Sequence, residues 1–228
     1  MVALHEPYMF FITHASSLLC DKIVRMESLR DEQKRIARDR ILEALAAEIA
    51  ENGLLDLSMA AVAERSGVSQ RTIYNYFETK EVLVRSLFEW AEQWMESRGG
   101  PLSESDLDKI PDAVVTNFQL FEDMGNVATA LARIRSDAPD DTTTSERFGT
   151  GHVKRTEVMR SSLAEIRPDL AEEDLDALAA IFRGVTGFDM WNSLSKEYGL
   201  SGAVAGRVAG WAFSAMLDAI RNGEGPYR

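Results

Sequence analysis

The chain has 228 residues, enough for one large domain or two small ones. It is 45% hydrophobic and 27% charged, the balance of a globular protein with a sizeable core. Its net charge of −12 counts against a general nucleic-acid binder, which is usually basic. One cysteine, Cys20, excludes an intrachain disulfide and suits a reducing cytoplasm. No apolar run reads as long enough to cross a bilayer, so a soluble cytoplasmic protein is expected.

Residues 1–30 read as a doubtful or flexible extension. The apolar stretch Tyr8-Met9-Phe10-Phe11-Ile12 is too short to span a membrane and lacks the basic flank of a secretion signal. It is either an arm touching DNA through Lys22 and Arg25, or an over-long start before synthesis from Met26. From Asp31 to Asn52 a helix is expected, with Ile41, Leu45 and Ile49 repeating at four and Ile36, Leu42 and Ala46 beside them. Gly53 ends it. Lys34, Arg35, Arg38 and Arg40 make its first half basic: either a face near DNA phosphates or a solvated charged surface.

Leu57 to Leu83 is the most informative stretch. Ser58 is a good N-cap for a short helix through Ala60, Ala61, Val62 and Ala63, and Gly67 can take the left-handed conformation that ends one. Ser69 offers a second N-cap, and a helix of barely two turns follows, from Gln70 to Tyr76. Two short helices around a glycine make a helix-turn-helix. Ile73 and Phe77, four apart, share the inward face, so Gln70, Arg71, Thr72, Tyr74 and Asn75 are left outside. Gln can bond adenine, Arg guanine, and a Thr methyl can meet thymine, so this is read as a recognition helix for the major groove of double-stranded DNA. Arg65, Arg71 and Lys80 lie in or beside it, a local basic field on an acidic chain.

Ser58-Met59-Ala60-Ala61-Val62-Ala63, Gly67-Val68-Ser69, Thr72-Ile73-Tyr74-Asn75-Tyr76-Phe77 and Lys80-Glu81-Val82-Leu83 resemble the DNA-binding domain of the tetracycline-repressor (TetR) family. The tight match runs from about Arg35 to Phe88. The resemblance implies an all-α homodimeric regulator with a three-helix helix-turn-helix head over residues 31–98 and a larger effector-binding and dimerisation body over 99–228. It implies a palindromic operator, with Gln70, Arg71 and Tyr74 against bases or adjacent backbone. Ser58, Thr72, Tyr76 and Lys80 would contact phosphates, and Ser69 completes the DNA-binding set.

Thr79 is expected to cap a helix linking head to body, with Leu83, Leu87, Trp90 and Trp94 as its stripe, closed by Gly99-Gly100-Pro101. Further helices are expected from Pro111 to about Asp123, carrying Val114, Val115, Phe118 and Phe121, and from Met124 to Ser136, carrying Val127, Leu131 and Ile134. After a loop from Asp137 to Thr144, another helix runs near Ser145 to Ile166. Two long ones end the chain. Glu172 to Tyr198 carries Leu175, Leu178, Phe182, Val185, Phe188 and Trp191; Ser201 to Asn222 carries Val204, Val208, Trp211, Ala215 and Met216. The glycines among them, Gly184, Gly187, Gly206 and Gly210, point to close helix–helix approach. The resemblance implies that this pair meets its copy in a four-helix bundle, with Phe182, Val185, Val204, Val208, Trp211 and Ala215 at the interface. The alternative is that both helices close the monomer core.

No catalytic set stands out, and neither an enzyme, a cofactor nor a metal site is expected. His5 and His14 lie in the extension, and His152 is alone. Asp137, Asp140 and Asp141 form either a cation site or, more simply, a solvated acidic loop. Body aromatics and methionines could line an effector pocket for an apolar or aromatic small molecule: Phe118, Phe121, Met124, Phe148, Met159, Phe182, Phe188 and Trp191, with Arg133, Asp189 and Asn192 as polar candidates. The same residues would equally build a helical core. A ligand-released repressor is thus the function expected; the alternatives are a helical protein-interaction module and a constitutive DNA-binder without an effector.

Overall fold

The computed structural model describes residues 8–100, 104–138 and 149–225, with side chains from Leu29 onward, and all regular structure among them is helical. Helix α1 (Tyr8–Asn52), α2 (Met59–Ser66) and α3 (Gln70–Tyr76) form the head, and α4 (Lys80–Glu96) leads out of it. A single 3-10 turn at Leu107–Lys109 starts the body. The body comprises α5 (Ile110–Asp123), α6 (Asn126–Asp137), α7 (Thr150–Ile166), α8 (Glu172–Thr186), α9 (Phe188–Lys196) and α10 (Gly202–Arg221).

Helix α1 begins at Tyr8, well before the expected Asp31. From Tyr8 to Asn52 there is no glycine or proline, so nothing in the chain breaks the helix until Gly53, whose φ of +82° ends it. Ile41, Leu42, Leu45, Ala46 and Ile49 are buried, whereas Ile36, expected beside them, is exposed.

Two expected stripes are displaced. On α4 the buried row is Leu83, Leu87, Ala91 and Met95, each four from the last; Trp90 and Trp94 flank it. Trp90 instead donates its indole N–H to Asp39 of α1 at 3.0 Å, and Arg98 stacks on Trp94 at 3.9 Å. At the C-terminal end, the long helix expected from Glu172 to Tyr198 breaks between Thr186 and Phe188, where Gly187 takes an extended backbone and opens α9. A Cβ there would stand 2.8 Å from the Arg183 carbonyl oxygen. The expected start of α7 near Ser145, together with Phe148, Asp140 and Asp141, lies outside the described residues.

The most extensive helix pair is α5 against α10. Gly202, Gly206 and Gly210 recur at every fourth residue of α10 and face the backbone of α5. A Cβ on Gly206 would stand 2.7 Å from the Val115 Cα, and one on Gly210 2.9 Å from the Pro111 carbonyl oxygen. The close approach made by these glycines is therefore within one chain. The rest of the inner face of α10 is Ala205, Ala209, Phe213, Leu217 and Ile220. Phe182, expected between two copies, is 1% exposed and packs edge-on to Phe213 at 4.9 Å, inside the core. The outer face keeps Val208 and Trp211 exposed at 48% and 72%. Contrary to the sequence expectation, α10 is long and apolar enough to cross a membrane by length and composition alone; here one of its faces is core.

Gly206→Leu forces a bulky side chain into the α5 backbone, and overpacking of this kind costs on the order of 1–3 kcal/mol or more. The urea midpoint of the variant should fall. Gly184→Ala meets nothing within 4 Å, so its midpoint should hold or rise by the gain in helix propensity, up to about 1 kcal/mol. A Gly206→Leu variant as stable as wild type would contradict this packing.

Candidate nucleic-acid interface and internal cavity

The head is set by local chemistry. Ser58 Oγ accepts the Ala61 N–H at 3.3 Å, and α2 ends at Gly67, φ +71°, whose N–H returns to Ala63 and Glu64. Ser66 is buried and donates its hydroxyl to the Val62 carbonyl at 2.7 Å. Ser69 then caps α3 by accepting the Thr72 N–H at 3.1 Å, and the two hydroxyls meet at 2.8 Å. One of those two hydroxyl protons bonds the other oxygen, which leaves one to donate outward.

Ile73 and Phe77, at 0% and 2% exposure, anchor α3 in the head core. Gln70, Arg71, Tyr74 and Asn75 are exposed, while Thr72, Tyr76, Lys80 and Ser58 are half-buried around them. The candidate DNA-binding residues are thus all at least partly accessible to solvent.

The basic residues divide into two groups. Arg65 is bound to Glu48, itself 3% exposed, at 3.2 Å, and also pairs with Glu51. These carboxylates raise the Arg65 pKa, with the hydrogen bond to Glu51 the largest cause. Lys34 and Arg35 pair with Asp31 and Asp39 along α1, and Arg38 lies 5.4 Å from the Phe77 ring centre. Of these, Arg65 ties α2 to α1, while the pairs of Lys34 and Arg35 lie within α1. Arg71 and Lys80 form no ion pair among the described residues.

A second feature lies in the body, where α4, α5, α6, α7, α8 and the start of α9 line a cavity of about 250 Å³. Phe121, Met124, Phe188 and Asp189 of the expected pocket line it, joined by Phe88 and Met95 of α4. Phe118 and Trp191 stand behind that wall, at 6.1 and 5.6 Å from the Phe121 ring. Met159 lines a smaller adjoining recess of about 30 Å³. Arg133 is not among the lining residues; it lies beside Gly53, toward the head.

Sequence reasoning missed the cavity's cations. Arg135, Arg155, Arg183 and His152 all line it, with Glu92 and Asp189 as the carboxylates. Arg155 donates to Glu92 at 2.8 Å, and the Glu92 carboxylate lies where a Cβ on Gly151 would stand. Arg135 lies 4.4 Å from the Phe188 ring centre and 3.8 Å from Asp189. Burial, then the charges of Arg183, Arg155 and Arg135, pulls the His152 pKa below its usual value, so the imidazole is mostly neutral at pH 7. The missed signal was register: Arg135 follows Val127 and Leu131 at spacings of four, a charge on the apolar face of α6.

Two helices run from the cavity to the head. Leu83 and Leu87 of α4 are in the core, while Phe88, Ala91 and Met95 of the same helix face the cavity. On α6, Arg135 faces the cavity, and Asp137 accepts the Leu54 N–H of the head at 3.0 Å.

The family profile "Bacterial regulatory proteins, tetR family" matches residues 41–87, the segment carrying this helix-turn-helix. Over these residues the head is of the TetR-family type. The fatty acid metabolism regulator protein of Bacillus subtilis is 32% identical over 100 residues, which are 42% of this chain and only 52% of that protein. A structure of the transcriptional regulator FadR from Bacillus subtilis in complex with stearoyl-CoA superposes with TM-score 0.58 at 18% identity, covering 82% of this chain and 98% of that one. A TetR-like transcriptional regulator from Rhodococcus sp. RHA1 gives TM-score 0.59 at 13% identity, covering 80% and 96%. At these identities the superpositions establish the fold, from head through body.

Arg65→Ala should lower the melting temperature, because Glu48 loses its cation while buried. Arg71→Ala should leave it unchanged. Equal losses in the two variants, read by circular dichroism, would contradict the division between structural and available cations.

Proposed function

We propose that this protein is a homodimeric, sequence-specific DNA-binding regulator, a repressor released from a palindromic operator by a small-molecule effector. The observation that carries the reading is α3: two buried residues fix it, and its exposed side is Gln70, Arg71, Tyr74 and Asn75. These are side chains suited to base edges, on a helix of a TetR-family head. Residues 31–98 form the DNA-binding unit and 99–228 the body. Ser58, Ser69, Thr72, Tyr76 and Lys80 surround the reader and contact phosphates. The protein works in the cytoplasm and catalyses no reaction.

Dimerisation is supported by the outer faces of α8 and α10. Ile181, Val208 and Trp211 are 51%, 48% and 72% exposed, with Ala215 beside them and Val185 and Val204 half-buried. A contiguous exposed apolar face is expected to be covered by a partner. A small-molecule effector is supported by the cavity, whose walls include Phe121, Met124 and Phe188, and by the stearoyl-CoA held in a protein of the same fold. Its body is apolar or aromatic.

Three measurements test the reading. Gel shift with the protein's own upstream DNA should give a specific complex at moderate salt, with half-sites one helical turn apart, about 34–36 Å, or a multiple. Absence of any specific complex would instead favour a protein-interaction module. Within that complex, Gln70→Ala or Arg71→Ala should relax preference at one base pair per half-site, at about 1–3 kcal/mol, while Lys80→Ala weakens all sequences alike and flattens the salt dependence. A changed base preference in Lys80→Ala would reverse these roles. Finally, Trp211→Asp should elute as a monomer in size-exclusion chromatography; elution with wild type would move the interface elsewhere.

A further inference from the structure

Among the described residues, the cavity's charges do not cancel. Of the described lining residues, Arg135, Arg155 and Arg183 bring three positive charges, and Glu92 and Asp189 bring two negative ones, which leaves one cation in excess with His152 neutral. The geometry shows which one it is. Arg155 is matched by Glu92 and Arg135 by Asp189. Among the described residues no carboxylate forms an ion pair with Arg183, whose side-chain contact is Thr186 at 3.5 Å and whose Nε is buried without a hydrogen-bond partner. Burial, reinforced by the Arg155 charge, pushes the Arg183 pKa down to about 10, so the guanidinium is still charged at neutral pH.

We infer that the cavity takes a compact amphiphilic anion, with a carboxylate on Arg183 and an apolar or aromatic body against Phe121, Met124 and Phe188. The inference deepens the effector reading above and rests on it for its biological meaning. A largely desolvated cation without a carboxylate beside it is costly, and a bound carboxylate supplies the charge-assisted, two-pronged hydrogen bonds a guanidinium is shaped for. Arg183 opens onto both the main cavity and the adjoining recess, and the aromatic wall lies across the main one. Size bounds the rest of the ligand. About 250 Å³ falls just below the usual range for small-molecule sites, roughly 300–1,000 Å³. That volume suits a free acid and is too small to enclose a whole coenzyme A thioester.

Both sources of anionic charge on an acyl chain can be tested together. Octanoate, 3-phenylpropionate, their primary amides and octanoyl-CoA are titrated into the full-length protein, without DNA, by isothermal calorimetry. Each acid should bind about ten- to a hundredfold tighter than its amide, the range expected for a hydrogen-bonded charge. In Arg183→Gln the preference should shrink to about twofold or less while the melting temperature shows the protein folded; Arg183→Lys, which keeps the charge, should retain part of it. Amides binding as well as acids would overturn the inference, as would no detectable binding of either acid at millimolar concentration. Binding of octanoyl-CoA in preference to octanoate would overturn the size argument and assign the charge to the coenzyme's phosphates. Operator release is then measured separately. Acids that bind with the expected preference yet leave the operator complex intact would leave this inference standing and sink the effector-released repressor.

Discussion

Helix α4 is the constraint on which the rest of the structure depends. A helix of 17 residues spans about 25 Å as one rigid rod. Its first half contributes Leu83 and Leu87 to the core, and its second half contributes Phe88, Ala91, Glu92 and Met95 to the cavity wall. The indole of Trp90 ties its middle to Asp39 of α1. A change in the cavity that tilts one end of such a rod must displace the other. The hydrogen bond from Leu54 to Asp137 gives α6 a second hold on the head.

The body is built so that this rod has something firm to lean on. Gly202, Gly206 and Gly210 let α10 reach the α5 backbone, and α5 in turn presents Phe121 to the cavity. Because the close-packed face of α10 is spent inside the chain, its opposite face is left with Val208 and Trp211 in solvent. One helix thus has two apolar sides of different kinds. The inner is made of small residues and permits close approach; the outer is bulky and suits a partner's surface.

Much of the head was legible in the sequence because its signals are local. N-cap serines, the left-handed Gly67 and the four-residue step from Ile73 to Phe77 act within a turn or two of themselves. What failed needed tertiary information. The apolar pattern runs unbroken through Gly187, so the break between α8 and α9 is invisible until a Cβ is placed against the Arg183 carbonyl. On α10 apolar residues occupy two faces, and spacing alone does not reveal that the glycine-bearing one meets α5 of the same chain. Phe182 was assigned to a partner because nothing in the pattern reveals that Phe213 meets it at 4.9 Å. Arg133 was chosen as a polar pocket residue where Arg135, two positions on, faces the cavity. The extra charge in the cavity is a sum over several helices, and no single window of sequence contains it.

On the proposed function, occupancy of the cavity and position of α3 are one equilibrium. A ligand moves such an equilibrium only by binding one arrangement better than another, and the coupling is reciprocal. The most direct measurement is to titrate octanoate into the protein with and without a saturating operator duplex, and to titrate operator with and without saturating octanoate. The account predicts that operator weakens octanoate binding by the same factor as octanoate weakens operator binding. Equal octanoate affinities in the presence and absence of operator would contradict it.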